Sequence, residues 1–268
     1  MQDTLENILV DVEAVVRGVG LFQLQHFRSM PVGADAMKAV RETVSFVDVE
    51  SEAMLQQGLL PLVDGAGFYG EETGRTGSQD LVWVVDPLDG TTNYLSGLDH
   101  FSVSVALIED GKPILGVVYK PFSDEIFVAV KDGGVRYNGE LKKPALPDVS
   151  ASEAIFMTGF PYRSPDVADQ FFRAAAEILT LGRGIRRSGS AALDVAYLSL
   201  GWIQGFWETD LQPYDIAAGM LMMEENGILV TNRDGEVYDM FADRLMVAAL
   251  PNVHPSLLHS VRSAYLEI

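Results

Sequence analysis

Asp86 and Asp89 stand three residues apart in the run Trp83-Val84-Val85-Asp86-Pro87-Leu88-Asp89-Gly90-Thr91-Thr92-Asn93, where an apolar segment meets residues that bend chains and open helices. Paired carboxylates hold divalent cations, and the N–H groups at a helix start receive anions, so the run contains the parts of a metal-assisted phosphate site. Residues 81–85 read as a strand buried on both faces, and Pro87, which lacks an N–H, is expected to end it in a turn. Gly90 permits a tight bend, and Thr91, Thr92 and Asn93 are residues that cap or open helices. The same residues also fit a plain turn, because Asp-Pro and Asp-Gly are common turn pairs.

Five more acidic residues have the same two-sided character. Glu71 and Glu72 follow Gly70 where the apolar pair Phe68-Tyr69 ends, and fit either a solvated face or a site. Asp215 falls in the first turn of an expected helix, where it either complements the helix dipole or serves as a ligand. Asp48 opens another expected helix and fits its N-cap. Glu208 follows Phe206-Trp207 at a strand end, an uncommon place for an unpaired charge in a central strand. Spacing alone does not bring these segments together.

The elements that would position them form two patterns. Leu5, Ile8, Leu9, Val12, Val15, Val16 and Val19 recur at helical spacing, so a long amphipathic helix is expected over 5–27. A second begins near Asp48, with Glu50 and Glu52 on its polar side and an end near Gln57-Gly58. Strands at 101–108, 114–119 and 125–130, joined by turns at Asp110-Gly111, Asp132-Gly133-Gly134 and Asn138-Gly139, make a meander. The first half therefore reads as two helices on an antiparallel sheet. Beyond Lys142-Lys143-Pro144 the pattern alternates: strand 154–158, helix 166–181, strand 184–187, helix 190–200, strand 202–207, helix 214–225, strands 228–230 and 245–249, helix 255–266. We expect an N-terminal lobe over 1–145 with most of the acidic candidates and a C-terminal α/β lobe over 146–268, joined as one compact unit.

Charge narrows the function classes. With 38 acidic against 19 basic residues the formal net charge is −19, which opposes nucleic-acid backbones and acidic membranes. It also opposes any anionic substrate unless bound cations reverse the sign locally. The chain has no cysteine, hence no disulfide or thiolate site, and its four histidines lack zinc-ligand spacing. No apolar run approaches the roughly 20 residues of a membrane span and the start lacks a basic signal region, so a cytoplasmic protein is expected. A Gly-x-Ser-x-Gly elbow and a P-loop are both missing, which argues against a serine hydrolase and a nucleotide kinase.

Taken in order, Gly70-Glu71-Glu72-Thr73, the Asp86 to Asn93 run, and Trp207-Glu208 through Pro213-Tyr214-Asp215 resemble the inositol monophosphatase family of Mg²⁺-dependent, Li⁺-sensitive phosphatases. The resemblance extends to the 44–48 segment and to Arg187-Ser188-Gly189-Ser190-Ala191-Ala192. It implies an α-β-α-β-α layered sandwich and a homodimer. By the resemblance Glu71, Asp86 and the Leu88 carbonyl hold one Mg²⁺, Asp86, Asp89 and Asp215 a second, and Glu71 supports a weaker third. The Gly90 and Thr91 amides receive phosphate, Thr91 with Asp48 orients and deprotonates the attacking water, and Glu208 with Gly189, Ser190 and Ala191 contacts the polyol. The implied substrate is a small polyol phosphate such as myo-inositol 1-phosphate. Fructose 1,6-bisphosphatase, histidinol-phosphatase, 3′-phosphoadenosine nucleotide phosphatase and a non-catalytic regulatory partner are the alternatives. Tyr214 stands where the family commonly has Trp, Ile228 where it often has Gly, and Lys38 matches a family lysine only in an uncertain register. Arg163, Arg183, Arg186 and Arg187 are the cations available to a nucleotide, the last three being expected at the lobe surface or dimer interface.

Overall fold

The structure, a computed structural model, describes residues 2–29, 36–39, 42–142 and 148–265, and at 2–4, 36–39 and 42–44 the backbone alone. The Lys38 side chain and the expected boundary near 145 lie outside this description.

The first half runs α1 (Gln2–His26), the small hairpin β1 (Ala36–Ala39) and β2 (Glu42–Val44), α2 (Phe46–Leu59), β3 (Gly67–Gly70), β4 (Gly74–Thr76), β5 (Leu81–Asp89) and the single turn α3 (Thr91–Leu95). The meander follows as β6 (Ser102–Glu109), β7 (Lys112–Lys120), β8 (Glu125–Val130), β9 (Gly134–Tyr137) and β10 (Glu140–Lys142). The second half contains β11 (Ile155–Thr158), α4 (Ala168–Leu181), β12 (Gly184–Arg186), α5 (Ala191–Ser199), β13 (Gly205–Thr209), α6 (Pro213–Glu225), β14 (Leu229–Thr231), β15 (Leu245–Ala249) and α7 (His254–Ala264). Two expected boundaries move. Gly58 lies inside α2, and the strand expected at 202–207 is displaced to β13 because residues 200–204 leave α5 through turns.

Eight strands form one sheet in the order β10-β9-β8-β7-β6-β5-β3-β4, and five form another in the order β12-β11-β13-β15-β14. The first is antiparallel except where β3 runs parallel to β5, and the second is mixed. Leu5, Leu9, Val12, Val16 and Val19 of α1 pack with Leu55 of α2 against Trp83 and Val85 on one face of the large sheet. Val82 and Val84, pointing the opposite way along β5, join a core shared with α5, α6 and the small sheet. Strands covered on both faces read as continuous apolar runs, which is why β5, β6 and β7 lack clean alternation. Helices α4 and α7 pack together on the far side of the small sheet. The expected α-β-α-β-α layering is thus observed. Among the described residues, no helix is long and apolar enough to cross a membrane.

Helix α6 occupies the middle layer, and most of its circumference is buried, as expected for a helix enclosed between sheets. It touches β7 backbone to backbone: a Cβ on Gly116 would stand 2.8 Å from the Ala218 carbonyl oxygen and 2.9 Å from its Cα. Neither atom can rotate away. We expect Gly116→Val to cost about 2 kcal/mol by forcing the layers apart, read as a melting temperature lower by roughly 4–8 °C.

Candidate active site

Strand β5 does not stop at Pro87, contrary to the sequence expectation. Its register with β6 shifts between the pairs Asp86–Ser104 and Asp89–Ser102, three residues on β5 spanning two on β6. The proline's missing donor falls inside this bulge, where the ladder needs none. Residues three apart on a regular strand point to opposite faces; the additional bulge residue resets that alternation and lets Asp86 and Asp89 face the same space. Inside the bulge the Leu88 N–H donates to Asp86 Oδ1 at 2.9 Å.

Gly90 follows with φ of 94°, a left-handed conformation that turns the chain into α3. A Cβ there would stand 3.1 Å from the carbonyl oxygens of both Gly189 and His100. Gly90 is the N-cap of α3, which has no side-chain cap. With five residues α3 has little macrodipole, so its attraction for an anion rests on individual first-turn N–H groups. Thr91 Oγ1 reaches Asp48 Oδ1 at 2.9 Å and the Leu88 carbonyl at 3.0 Å. Asp48 is not the N-cap of α2. Ser45 holds that place, and Asp48, at the third helical position, accepts from the Ser45 N–H at 2.9 Å and hydroxyl at 2.6 Å. Burial raises the Asp48 pKa, and these hydrogen bonds partly offset the rise.

The acidic segments that spacing left apart converge on Asp86. Its carboxyl is 2% exposed, and burial drives its pKa well above the ordinary 3.8, reinforced by the charges of Glu71, Asp89 and Asp215. Glu71 is delivered by the parallel pairing of β3 with β5, which sets Gly70 beside Val85 and lets the Glu71 N–H reach the Val85 carbonyl at 3.3 Å. Asp215 sits at the third position of α6, its Oδ2 accepting from the Gln212 N–H at 2.7 Å. Asp89 Oδ2 accepts from Ser190 Oγ at 2.5 Å and the Ala192 N–H at 2.8 Å, both from the second half of the chain. Burial raises the Asp89 pKa, against those hydrogen bonds and the charge of Arg163.

Glu208, on β13, lines the same cleft from the small sheet. Burial, with Asp215 and Asp89 nearby, pushes its pKa up to about 8, although Arg187 and Arg163 oppose the rise. Gly189, Ser190 and Ala191 lead into α5 beside Gly90, joined there by the Asn93 amide, which donates to the carbonyls of His100 at 2.7 Å and Ser188 at 2.9 Å. The twelve residues given roles by the resemblance, Asp48 excepted, line one cleft of about 970 Å³, the open space at its mouth included; Asp48 is tied to it through Thr91, and Glu72 is not among the lining residues.

Two contributors were missed. Glu52, assigned to a polar helix face, is 1% exposed and accepts from the N–H groups of Glu72 and Thr73, both at 2.8 Å. It anchors the Glu71 turn and explains Gly70, where a Cβ would meet Glu52 Oε2 at 2.2 Å. Asp194, on α5, is buried, lines the cleft and accepts a hydrogen bond from Ser188 Oγ. Burial pushes its carboxyl well above the usual range. A single acidic residue within a helix gives no sign of its burial. Arg187, expected at the lobe surface or dimer interface, lines the cleft instead, its guanidinium 5.8 Å from the Tyr162 ring centre, and Arg163, already among the available cations, lines it too.

The sequence profile of the inositol monophosphatase family matches residues 4–266. An inositol-1-monophosphatase of Caulobacter vibrioides is 34% identical over 230 residues, 85% of this chain and 90% of that protein. The Nus factor SuhB of Escherichia coli K12 is 34% identical over 230 residues, 85% of each chain. Among solved structures, the extragenic suppressor protein suhB of Bartonella henselae superposes with a TM-score of 0.90 at 29% identity, covering 96% of this chain and 98% of that one. The inositol monophosphatase of Anabaena gives a TM-score of 0.85 at 29% identity, covering 97% and 96%. Motif order, layered fold and full-length similarity agree: the chain belongs to the inositol monophosphatase family and is a phosphatase.

Proposed function

We propose that the cleft is a Mg²⁺-dependent phosphomonoesterase site for a small polyol phosphate, most simply myo-inositol 1-phosphate, released as inositol and phosphate. The observation that carries this reading is the burial of Asp86 among Glu71, Asp89 and Asp215, a set of like charges that calls for cations. Among the described residues no three acidic or imidazole groups form a ready-made cage for one ion. Mg²⁺ takes oxygen ligands and keeps several of its waters, so the carboxylates would close in on it as it binds. Glu71, Asp86 and the Leu88 carbonyl would hold one ion, Asp86, Asp89 and Asp215 another, and Glu71 would lean on a weaker third. Bound there, Mg²⁺ would supply a nucleophile at neutral pH and stabilise the leaving oxygen.

The chain's own residues do the remaining work. The Gly90 and Thr91 amides seat the phosphate. Thr91 Oγ1, held by Asp48 Oδ1, takes a proton from the attacking water and passes its own to Asp48, whose other oxygen is fixed by Ser45. As the P–O ester bond breaks, the departing alcohol lies against Glu208 and the loop of Gly189, Ser190 and Ala191. Two lobes, 1–145 and 146–268, paired as a homodimer in the cytoplasm, complete the proposal. The lobe division is supported by two sheets that share no strand, and the dimer by the family resemblance. The name Nus factor describes those relatives; at −19 net charge, direct contact of this chain with nucleic acid is disfavoured.

Three measurements test this. Phosphate release should be fastest from inositol monophosphates in a panel that includes fructose bisphosphate, histidinol phosphate and adenosine bisphosphate, should require Mg²⁺, and should fall when Li⁺ is added. No turnover of any member sinks the proposal, and preference for another member replaces the substrate.

Asp89→Asn should lower kcat by at least about 10²-fold, the scale of losing a preorganised electrostatic group, with an unchanged far-ultraviolet spectrum. Near-normal turnover refutes the ligand assignment.

Carboxyls whose pKa is higher in the fold than in the unfolded chain take up protons on folding. Their contribution is full below the unfolded value and is lost as pH rises through the folded one. From Asp86, raised above 3.8, and Glu208, raised to about 8, melting in EDTA should fall between pH 4 and pH 8. Saturating Mg²⁺ should restore it most at the alkaline end, whereas a melt indifferent to pH and Mg²⁺ contradicts the metal site.

A further inference from the structure

Gln23 lies near the C-terminal end of α1, fully buried, 64 residues in sequence from the bulge it touches. Its Nε2 donates to the Pro87 carbonyl at 2.7 Å and lies 3.3 Å from Ser51 Oγ, while its Oε1 is buried with no hydrogen-bond partner among the described residues. A carbonyl can only accept, so the amide nitrogen has to face Pro87, and the opposite rotamer would set two acceptors against each other. A fully buried amide with one unsatisfied end is a costly residue in an otherwise apolar helix face. The Tyr94 hydroxyl, donating to the Gln23 carbonyl at 2.7 Å, fixes the same helix turn against α3.

The bulge shows what the amide does. Pro87 has no N–H; the Leu88 N–H goes to Asp86 Oδ1; the Leu88 carbonyl faces Thr91 Oγ1 and the cleft; the Pro87 carbonyl, turned the other way, takes its donor from Gln23. The Pro87 carbonyl and the Leu88 N–H belong to one planar peptide unit and point in opposite directions from it. Holding the oxygen toward α1 therefore aims the N–H at Asp86 Oδ1, and with it sets the rotation of that carboxylate.

We propose that Gln23 is a positioning residue for the cation site: through the Pro87–Leu88 peptide it fixes the orientation in which Asp86 offers its second oxygen. The proposal rests on the metal-site reading above. It predicts that loss of the Gln23 amide weakens cation binding in a protein that remains folded.

The test is Mg²⁺ titration by calorimetry of the full chain freed of metal with EDTA and dialysed, at a temperature below every variant's melting point. Gln23→Met removes the donor at similar volume, and Gln23→Asn retracts it beyond reach while staying polar, so the bond is lost through two different packing changes. Ser51→Ala removes the amide's other neighbour and is the control. We expect a Mg²⁺ dissociation constant raised about tenfold in either Gln23 variant that folds, unchanged in Ser51→Ala, with phosphate release approaching the unaltered chain's rate as Mg²⁺ is raised. A Gln23 variant that binds Mg²⁺ with the unaltered constant overturns the positioning role, whatever its melting temperature, and so does loss of folding in both variants, which assigns Gln23 to the core alone. If the unaltered chain shows no Mg²⁺ binding, the metal-site reading fails instead.

Discussion

The burial of Asp86 beside three other carboxylates is the constraint on which the rest of the site depends. Two unit charges 4 Å apart repel by about 4 kcal/mol at an effective dielectric of 20, and whole domains are stable by only about 5–15 kcal/mol. The fold meets this by fixing one side of Asp86, Asp89 and Asp215, and of the neighbouring Asp48. Asp86 Oδ1 is held by Leu88, Asp89 Oδ2 by Ser190 and Ala192, Asp215 Oδ2 by Gln212, and Asp48 Oδ2 by Ser45. The donors are mostly backbone N–H groups at bulges and helix starts, which cannot swing away. What each carboxylate presents to the cleft is then set by the main chain and not by rotamer choice.

The same arrangement makes the site a seam between layers. Asp86 and Asp89 come from the large sheet, Asp215 from the helix between the sheets, and Glu208 from the small sheet. Ser190 and Ala192 cross the seam to Asp89, and Asn93 crosses it in the other direction to Ser188. Helix α6 is packed on both sides, so Asp215 cannot shift without disturbing both sheets. A rigid middle layer of this kind suits a cluster whose members would otherwise move apart.

Much of this was legible from residue types. The period of α1, the meander and the alternation beyond Lys142-Lys143-Pro144 were legible because each is local. The bulge was not, since Pro87 signals a stop when the strand is considered alone and a tolerated gap only when β6 lies opposite. Glu52 and Gln23 escaped for a related reason: each is one polar residue on a helix, and its function depends on a backbone group 20 to 64 residues away. Asp48 was placed in the right turn but the wrong position, because Ser45 and Asp48 are both good capping residues and only the backbone decides between them.

The net charge of −19, at first an obstacle to an anionic substrate, fits the proposed chemistry once distance is considered. Salt screens exposed charges beyond about 8–10 Å, so the surface field governs approach while the cleft governs binding. Within the cleft two divalent cations would balance Glu71, Asp86, Asp89 and Asp215, and the guanidiniums of Arg163 and Arg187 would offset Asp194 and Glu208 on the walls. A small monoester meets the outer field with a single phosphate. A polyanion brings a whole charged strand against it. On the proposed reading, the excess of acid would therefore sort anions by size before any of them reached the carboxylates around Asp86.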